Sequence, residues 1–254
     1  MKRQVDLRKI LEHWPYEPEN NVRFAQGNDG REILHVRLPL GIEQYELEGR
    51  PDGRRPEGAE SWLDYHLARL TLAKQEKGDA EFALTPEECA ELFAEGMLYY
   101  YRYLHLFQAQ DWPRTMRDTA RNLKLFDFVN DYAQRPEDQL YLEQWRPYIL
   151  RINAVAAAMI ELGNHHHALA LDHLNAAINR IIALPDLEEE TFKFERERSV
   201  GALRELAAQV QRSQPISKIE LLERQLRRAI ETQEFERAAK IRDRIRTLRR
   251  ESTA

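Results

Sequence analysis

A single cysteine, Cys89, occurs in the 254 residues, so no internal disulfide can form and no cysteine cluster is available for zinc. Cys89 stands between Glu88 and Ala90 in a helical pattern. Nothing near it in sequence would lower its pKa, which points to a structural thiol and not a nucleophile. Long apolar runs are missing too. The most apolar stretch, Ile149 to Gly163, is interrupted by Arg151, Asn153 and Glu161 and is shorter than the ~20 residues a bilayer-crossing helix needs. The opening Met1-Lys2-Arg3-Gln4-Val5-Asp6 carries charge with no apolar segment behind it. A secretory signal is therefore not expected, and the expected location is cytoplasmic with no membrane association. Phosphate-binding loops, dinucleotide-binding glycine patterns, nucleophile elbows and His-Glu-x-x-His metal motifs are all absent. These absences predict a chain that is not an enzyme and that uses no cofactor.

What is present is enough apolar residue, 43%, to build a packed core, with 32% charged residues to solvate its outside. The net charge of −5 is unevenly spread. From Ser217 onward there are 11 Lys and Arg against 7 Asp and Glu, a balance of +4, which leaves 27 against 36, or −9, for the rest. An acidic body with a basic tail suits a tail that meets an acidic partner, nucleic acid or the body itself.

The β signal is confined to residues 21–48. Val22 and Phe24 lead into Gly27-Asn28-Asp29-Gly30, a hairpin-turn sequence. Ile33, His35 and Arg37 then alternate with Leu34, Val36 and Leu38, and a third run from Ile42 to Leu47 follows Pro39 and Gly41. A three-stranded meander fits, too small to fold alone. The turn-rich stretch from Gly49 to Gly58, with Arg50, Arg54 and Arg55, reads as a solvated linker. Everything after it reads as helix. Ser61-Trp62-Leu63-Asp64, Thr85-Pro86-Glu87-Glu88, Asp186-Leu187-Glu188-Glu189 and Ser217-Lys218-Ile219-Glu220 carry helix-start grammar. Tyr148, Ile152, Val155, Met159 and Leu162 form the stripe of a packed helix. The expected fold is mainly α: an N-terminal segment with a small β-meander over 1–58, an antiparallel helical-hairpin body over 59–212 and a helical hairpin over 213–254.

Two body segments look related. Gln110 to Thr115 and Gly163 to Ala168 each lie between apolar helices, and each is followed seven residues later by an asparagine, Asn122 after Thr115 and Asn175 after Ala168. This resembles the tight helix–turn–helix of tetratricopeptide repeats. The spacing of 53 residues, against roughly 34 in that family, predicts an irregular array of hairpins and not a regular superhelix.

Three clusters invite a chemical reading. His165, His166 and His167 would fan out by about 100° each on a helix, so they are expected to start a solvated helix and to bind no metal. Tyr99, Tyr100, Tyr101 and Tyr103, with Phe107 and Trp112, have the composition of a base-stacking platform. Aromatics on all sides of one helix point instead to core packing. Glu87, Glu88, Glu91 and Glu95 share a helical face and are expected to be solvated.

The most specific pattern lies at the end of the chain. Leu222, Leu226, Ala229 and Ile230 keep helical spacing up to a short polar break. After it come Phe235, Ala238, Ala239, Ile241, Arg242, Asp243, Ile245 and Leu248. Two antiparallel helices result, with Phe235 near the turn and small alanines allowing close approach. This segment resembles the UVR motif, found in subunits of bacterial excinuclease, in Clp-type chaperone ATPases and in activators of an arginine-kinase stress system. The resemblance implies a helical hairpin that pairs with another such hairpin, in a partner protein or in a second copy, through those twelve residues. It carries no activity with it. The expected function is a non-enzymatic protein–protein interaction adaptor, with a DNA-associated repair or stress-response accessory role as the alternative.

Overall fold

The computed structural model describes residues 7–77, 82–213 and 218–251. It divides into two compact units, residues 1–208 and 209–254. Helix accounts for 69% of the described residues. The first unit opens with a short helix α1 (Arg8–His13) and an antiparallel sheet in the order β1 (Val22–Gln26), β2 (Glu32–Leu38), β3 (Gly41–Glu46). Val22 pairs with Val36, and Leu34 with Tyr45, as the expected meander requires. At the first turn Gly30 adopts φ +82°, a conformation that costs an L side chain energy. The alternation of β2 buries Leu34 and Val36 with Tyr45, Leu47 and Leu106, so the sheet shares its core with a helix instead of standing alone. On the other face Arg37 is buried and donates from Nε to the Trp14 carbonyl at 2.7 Å.

The helices that follow are α2 (Trp62–Lys77), α3 (Pro86–Gln108), α4 (Trp112–Tyr132), α5 (Pro136–Tyr141), α6 (Arg146–Gly163), α7 (His167–Ile182) and α8 (Glu190–Ser213). Packing runs in chain order, α3 on α4, α4 on α6 and α6 on α7. Between its two neighbours α6 buries Ala154, Ala156, Ala157 and Ala158, small side chains that let backbones come close. Thr85 caps α3 as its sequence predicts: the Glu88 N–H donates to Thr85 Oγ1 at 3.3 Å, and the Thr85 N–H to Glu88 Oε2 at 2.9 Å. The expected start at Asp186 is displaced to Glu190. Asp186 is occupied elsewhere, by an ion pair with Arg196, whose Nη2 also donates to the Ile182 carbonyl. Ser217 lies outside the described residues; the second unit contains α9 (Lys218–Glu231) and α10 (Phe235–Glu251).

Three interhelical turns share one construction. Gln110, His165 and Gln233 have φ of 60°, 62° and 59°. The next residue in each turn donates its N–H to the carbonyl five positions back: Asp111 to Leu106, His166 to Glu161 and Glu234 to Ala229. These bonds satisfy carbonyls that a helix end leaves open. Aligned on the left-handed residue, Thr115, Ala170 and Ala238 coincide and all are buried, as do Asn122, Ala177 and Ile245. This corrects the register read from the sequence. Ala168 and Asn175 are exposed, and the partner of Asn122 is Ala177.

Candidate functional site

The helical pair α9–α10 is built on a seam of small residues. Ala229, Ala238 and Ile245 are buried, and Leu222, Leu226, Ile241 and Leu248 are half-buried along the same seam. The turn is tied by the Glu234 N–H to the Ala229 carbonyl at 2.8 Å and by Thr232 Oγ1 to the Arg228 carbonyl at 2.9 Å. Arg237 donates to Glu234 at 2.9 Å, and with Thr232 Oγ1 this holds the Glu234 carboxyl below the usual range. Residues 216–251 match the family model of the UvrB/uvrC motif. Neither curated proteins nor solved structures gave a match.

The UVR hairpin does not use all of its predicted residues internally. Phe235 opens α10 beside the turn, but the residue is 67% exposed, and Ile230 on the other side of the turn is 52% exposed. Phe235 thus stands at the turn, outside the seam in which Ala229 and Ala238 are buried. Ala239, Arg242 and Asp243 also face solvent, with Arg242 bonded to the adjacent Asp243 at 3.1 Å. Apolar side chains left outside a seam already closed by Ala229 and Ala238 are the feature of this hairpin that suits contact with another surface.

The other clusters resolve differently. Only His167 of the three histidines is helical: His165 sits in the left-handed turn and His166 precedes α7, its Nδ1 2.9 Å from Glu161. Among the described residues no group of three or more His, Cys, Asp or Glu is placed to hold a metal, and no helix is long and apolar enough to cross a membrane. Cys89 is fully buried, and that burial pushes its thiol up to about 11. In the aromatic run Tyr99 and Tyr103 are buried, with burial pushing the Tyr103 hydroxyl well up, but Tyr101 is 45% exposed.

The acidic face departs most from its sequence reading. Glu95 is wholly buried. Its carboxylate accepts the N–H of Trp62 at 2.7 Å and of Leu63 at 3.1 Å, the first amides of α2, and pairs with Arg121 and, at 3.5 Å, with Arg50. Ser61 Oγ takes the third amide, from Asp64, at 3.1 Å. A carboxylate at a helix N-terminus meets both open N–H groups and the positive end of the helix dipole. Arg50, read as part of a solvated linker, is thereby held in the body.

A second buried pair joins α3 to α4. Arg102 donates from Nε and Nη2 to Asp118 at 2.6 and 2.9 Å, and from Nη1 to the Glu46 and Gly49 carbonyls at 2.7 and 2.9 Å. Both side chains are 1% exposed. Arg117 adds Nε to Asp118 at 3.0 Å and Nη2 to the Leu47 carbonyl at 2.6 Å. Together they staple the end of β3 onto the helices. These charges work structurally, and no sequence spacing signals them.

His66 is buried against Trp62, their rings 5.9 Å apart, with Nδ1 3.0 Å from Arg69 Nη1. Burial first, and then Arg69, lowers its pKa from the usual 6.5, against the pull of Glu88 and Glu95; burial lowers that of His105 likewise. A depressed folded value means the unfolded chain binds the proton more readily. The stability is then fully present above pH ~6.5 and declines as pH falls toward the folded pKa. The unfolding free energy is expected to fall as pH drops from 7.5 to 6, by at most about 1.4 kcal/mol per pH unit for each histidine, and the melting temperature with it. His66→Gln should flatten that slope in calorimetry; an unchanged slope would assign the effect elsewhere.

Proposed function

We propose that the protein is a non-enzymatic adaptor that engages another protein, or a second copy of itself, through the UVR hairpin. The observation that carries this reading is the hairpin's division of labour. Ala229, Ala238 and Ile245 close it internally, while Ile230 and Phe235 stay outside. Exposed aromatic and branched side chains beside a tight turn are the residue types that anchor interfaces. The helical-hairpin body, which resembles tetratricopeptide arrays in its turns, supplies the second contact of an adaptor. The +4 balance from Ser217 onward supports the alternative, a DNA-associated accessory role in repair or stress response.

Salt separates the two. Binding through several phosphates weakens by orders of magnitude as salt rises from 50 to 200 mM, whereas apolar hairpin contact does not. The chain and a version lacking residues 217–254 would be compared by sedimentation and by capture of partners from the native host at both salt concentrations. Salt-resistant association that needs those residues supports the adaptor, and salt-sensitive binding to duplex DNA supports the alternative.

Ile230→Ala with Phe235→Ala is expected to weaken association by about 2 kcal/mol or more, close to 30-fold. The melting temperature should stay put, since substitutions at exposed sites change stability by about 0.5 kcal/mol or less. A lowered main transition with unchanged association would show the two side chains to be structural.

A further inference from the structure

The outer side of α3 is an apolar face that the rest of the first unit covers only in part. Between Ala90 and Gln108, about 27 Å of helix at 1.5 Å per residue, the exposed positions are Ala90, Glu91, Ala94, Met97, Tyr101, Leu104 and Gln108, with Phe93, Tyr100 and Phe107 half-buried among them, so Glu91 at the edge is the one exposed charge. Met97 is 47% exposed, Tyr101 45% and Leu104 36%. The surface continues past α3, because the Tyr141 ring lies 4.6 Å from Phe93 and the Tyr148 ring 6.1 Å from Tyr100. In sequence the two tyrosines flank the exposed Trp145. A surface helix ordinarily turns its charged side outward, so an apolar and aromatic one with a single charge at its edge marks an interaction site.

The rim says what kind of partner fits. Glu91 borders the face beside Glu57 and Glu88, and burial together with these two carboxylates raises its pKa against the opposing pull of Arg50. Glu88 is engaged by Arg69, but among the described residues neither Glu57 nor Glu91 has an ion pair. Toward the other end Tyr45, its ring 5.7 Å from His105, donates to the Glu43 carboxylate at 2.6 Å, and Glu43 likewise lacks an ion pair among the described residues. Both ends are acidic, so the same face of a second copy, laid on this one in either direction, would set carboxylates against carboxylates. A helix with basic residues beside an apolar stripe meets both requirements.

We propose that the outer face of α3 is a docking surface for an amphipathic α-helix of another protein, one carrying Lys or Arg beside both ends of its apolar stripe. Apolar side chains at i, i+4 and i+7 of that helix pack over Met97, Tyr101 and Leu104, and its flanking cations pair with Glu57, Glu91 and Glu43. This contact is separate from the UVR hairpin and survives loss of Phe235 and Ile230.

The test uses the full chain and two fluorescent helical peptides that share one leucine stripe, one flanked by lysine and the other by glutamate. Anisotropy should show binding of the lysine peptide only, weakened at least tenfold in Met97→Ser/Tyr101→Ser and several-fold in Glu57→Gln/Glu91→Gln. The second variant should also lose much of the salt dependence. Leu72→Ser, at an exposed apolar site on α2, and Phe235→Ala should bind like the parent. Circular dichroism melts matching the parent would show that the variants fold. Equal binding of both peptides, or an affinity indifferent to Met97→Ser/Tyr101→Ser, would overturn the proposal. So would a parent dimer that this double variant makes monomeric, since that would identify a second copy as the occupant.

Discussion

Arg102→Met is expected to lower the unfolding free energy by about 3–5 kcal/mol, the cost of leaving a buried charge without its partner. The substitution keeps much of the side-chain volume, so packing loss is not the main term. It removes both bonds to Asp118 and the two bonds that hold the Glu46 and Gly49 carbonyls. Asp118 would then rely on Arg117 alone, through its 3.0 Å contact. Asp118→Leu should be destabilising for the converse reason. The double variant Arg102→Met/Asp118→Leu should cost less than the sum of the singles, because each single leaves a charge buried and the double leaves none at that position. Urea denaturation of the four proteins measures this directly. Additive losses would mean that the two side chains act independently.

Glu95→Ala should cost about 3 kcal/mol or more, through a different combination of losses. Two amides at the start of α2 lose their acceptor, each worth about 1 kcal/mol, and Arg121 and Arg50 lose a buried counter-charge. Glu95→Gln retains an acceptor oxygen and the packing but not the charge, and should recover part of the loss. Because the damage is local to one helix end, hydrogen exchange should report it before global unfolding does. The Trp62 and Leu63 amides are expected to lose protection in Glu95→Ala while those in the middle of α6 keep theirs. Uniform loss of protection would show that Glu95 stabilises the whole unit and does not act as a cap.

Local signals proved legible where the physics is local. Thr85 and Ser61 cap the helices that their sequences announce, because the bonds run between residues three apart. The meander follows from Gly27 to Gly30 and the alternation through Val36, and the hairpin over 218–251 from apolar spacing broken by a polar turn. The charged residues of the body were not legible in this way. Glu95 and Glu91 stand on one helix four residues apart with similar neighbours, yet the first is buried at the foot of α2 and the second lies on the rim of an open apolar face. On the apolar side spacing placed Phe235 at the turn, and only the structure shows that it stays exposed while Ala229 and Ala238 are buried.

Composition and periodicity, then, determined on their own that the chain is mainly helical, where its small sheet lies and that its C-terminal part is a two-helix hairpin, since these depend on backbone preferences and on contacts within a few residues. Tertiary structure alone decided which charges are buried and which apolar faces stay open. Arg102 reaches Asp118 across sixteen positions and the Glu46 carbonyl across fifty-six, and Glu95 reaches Trp62 across thirty-three. A guanidinium or carboxylate enters a core only when a partner arrives from another element, and the partner's arrival depends on how the helices pack.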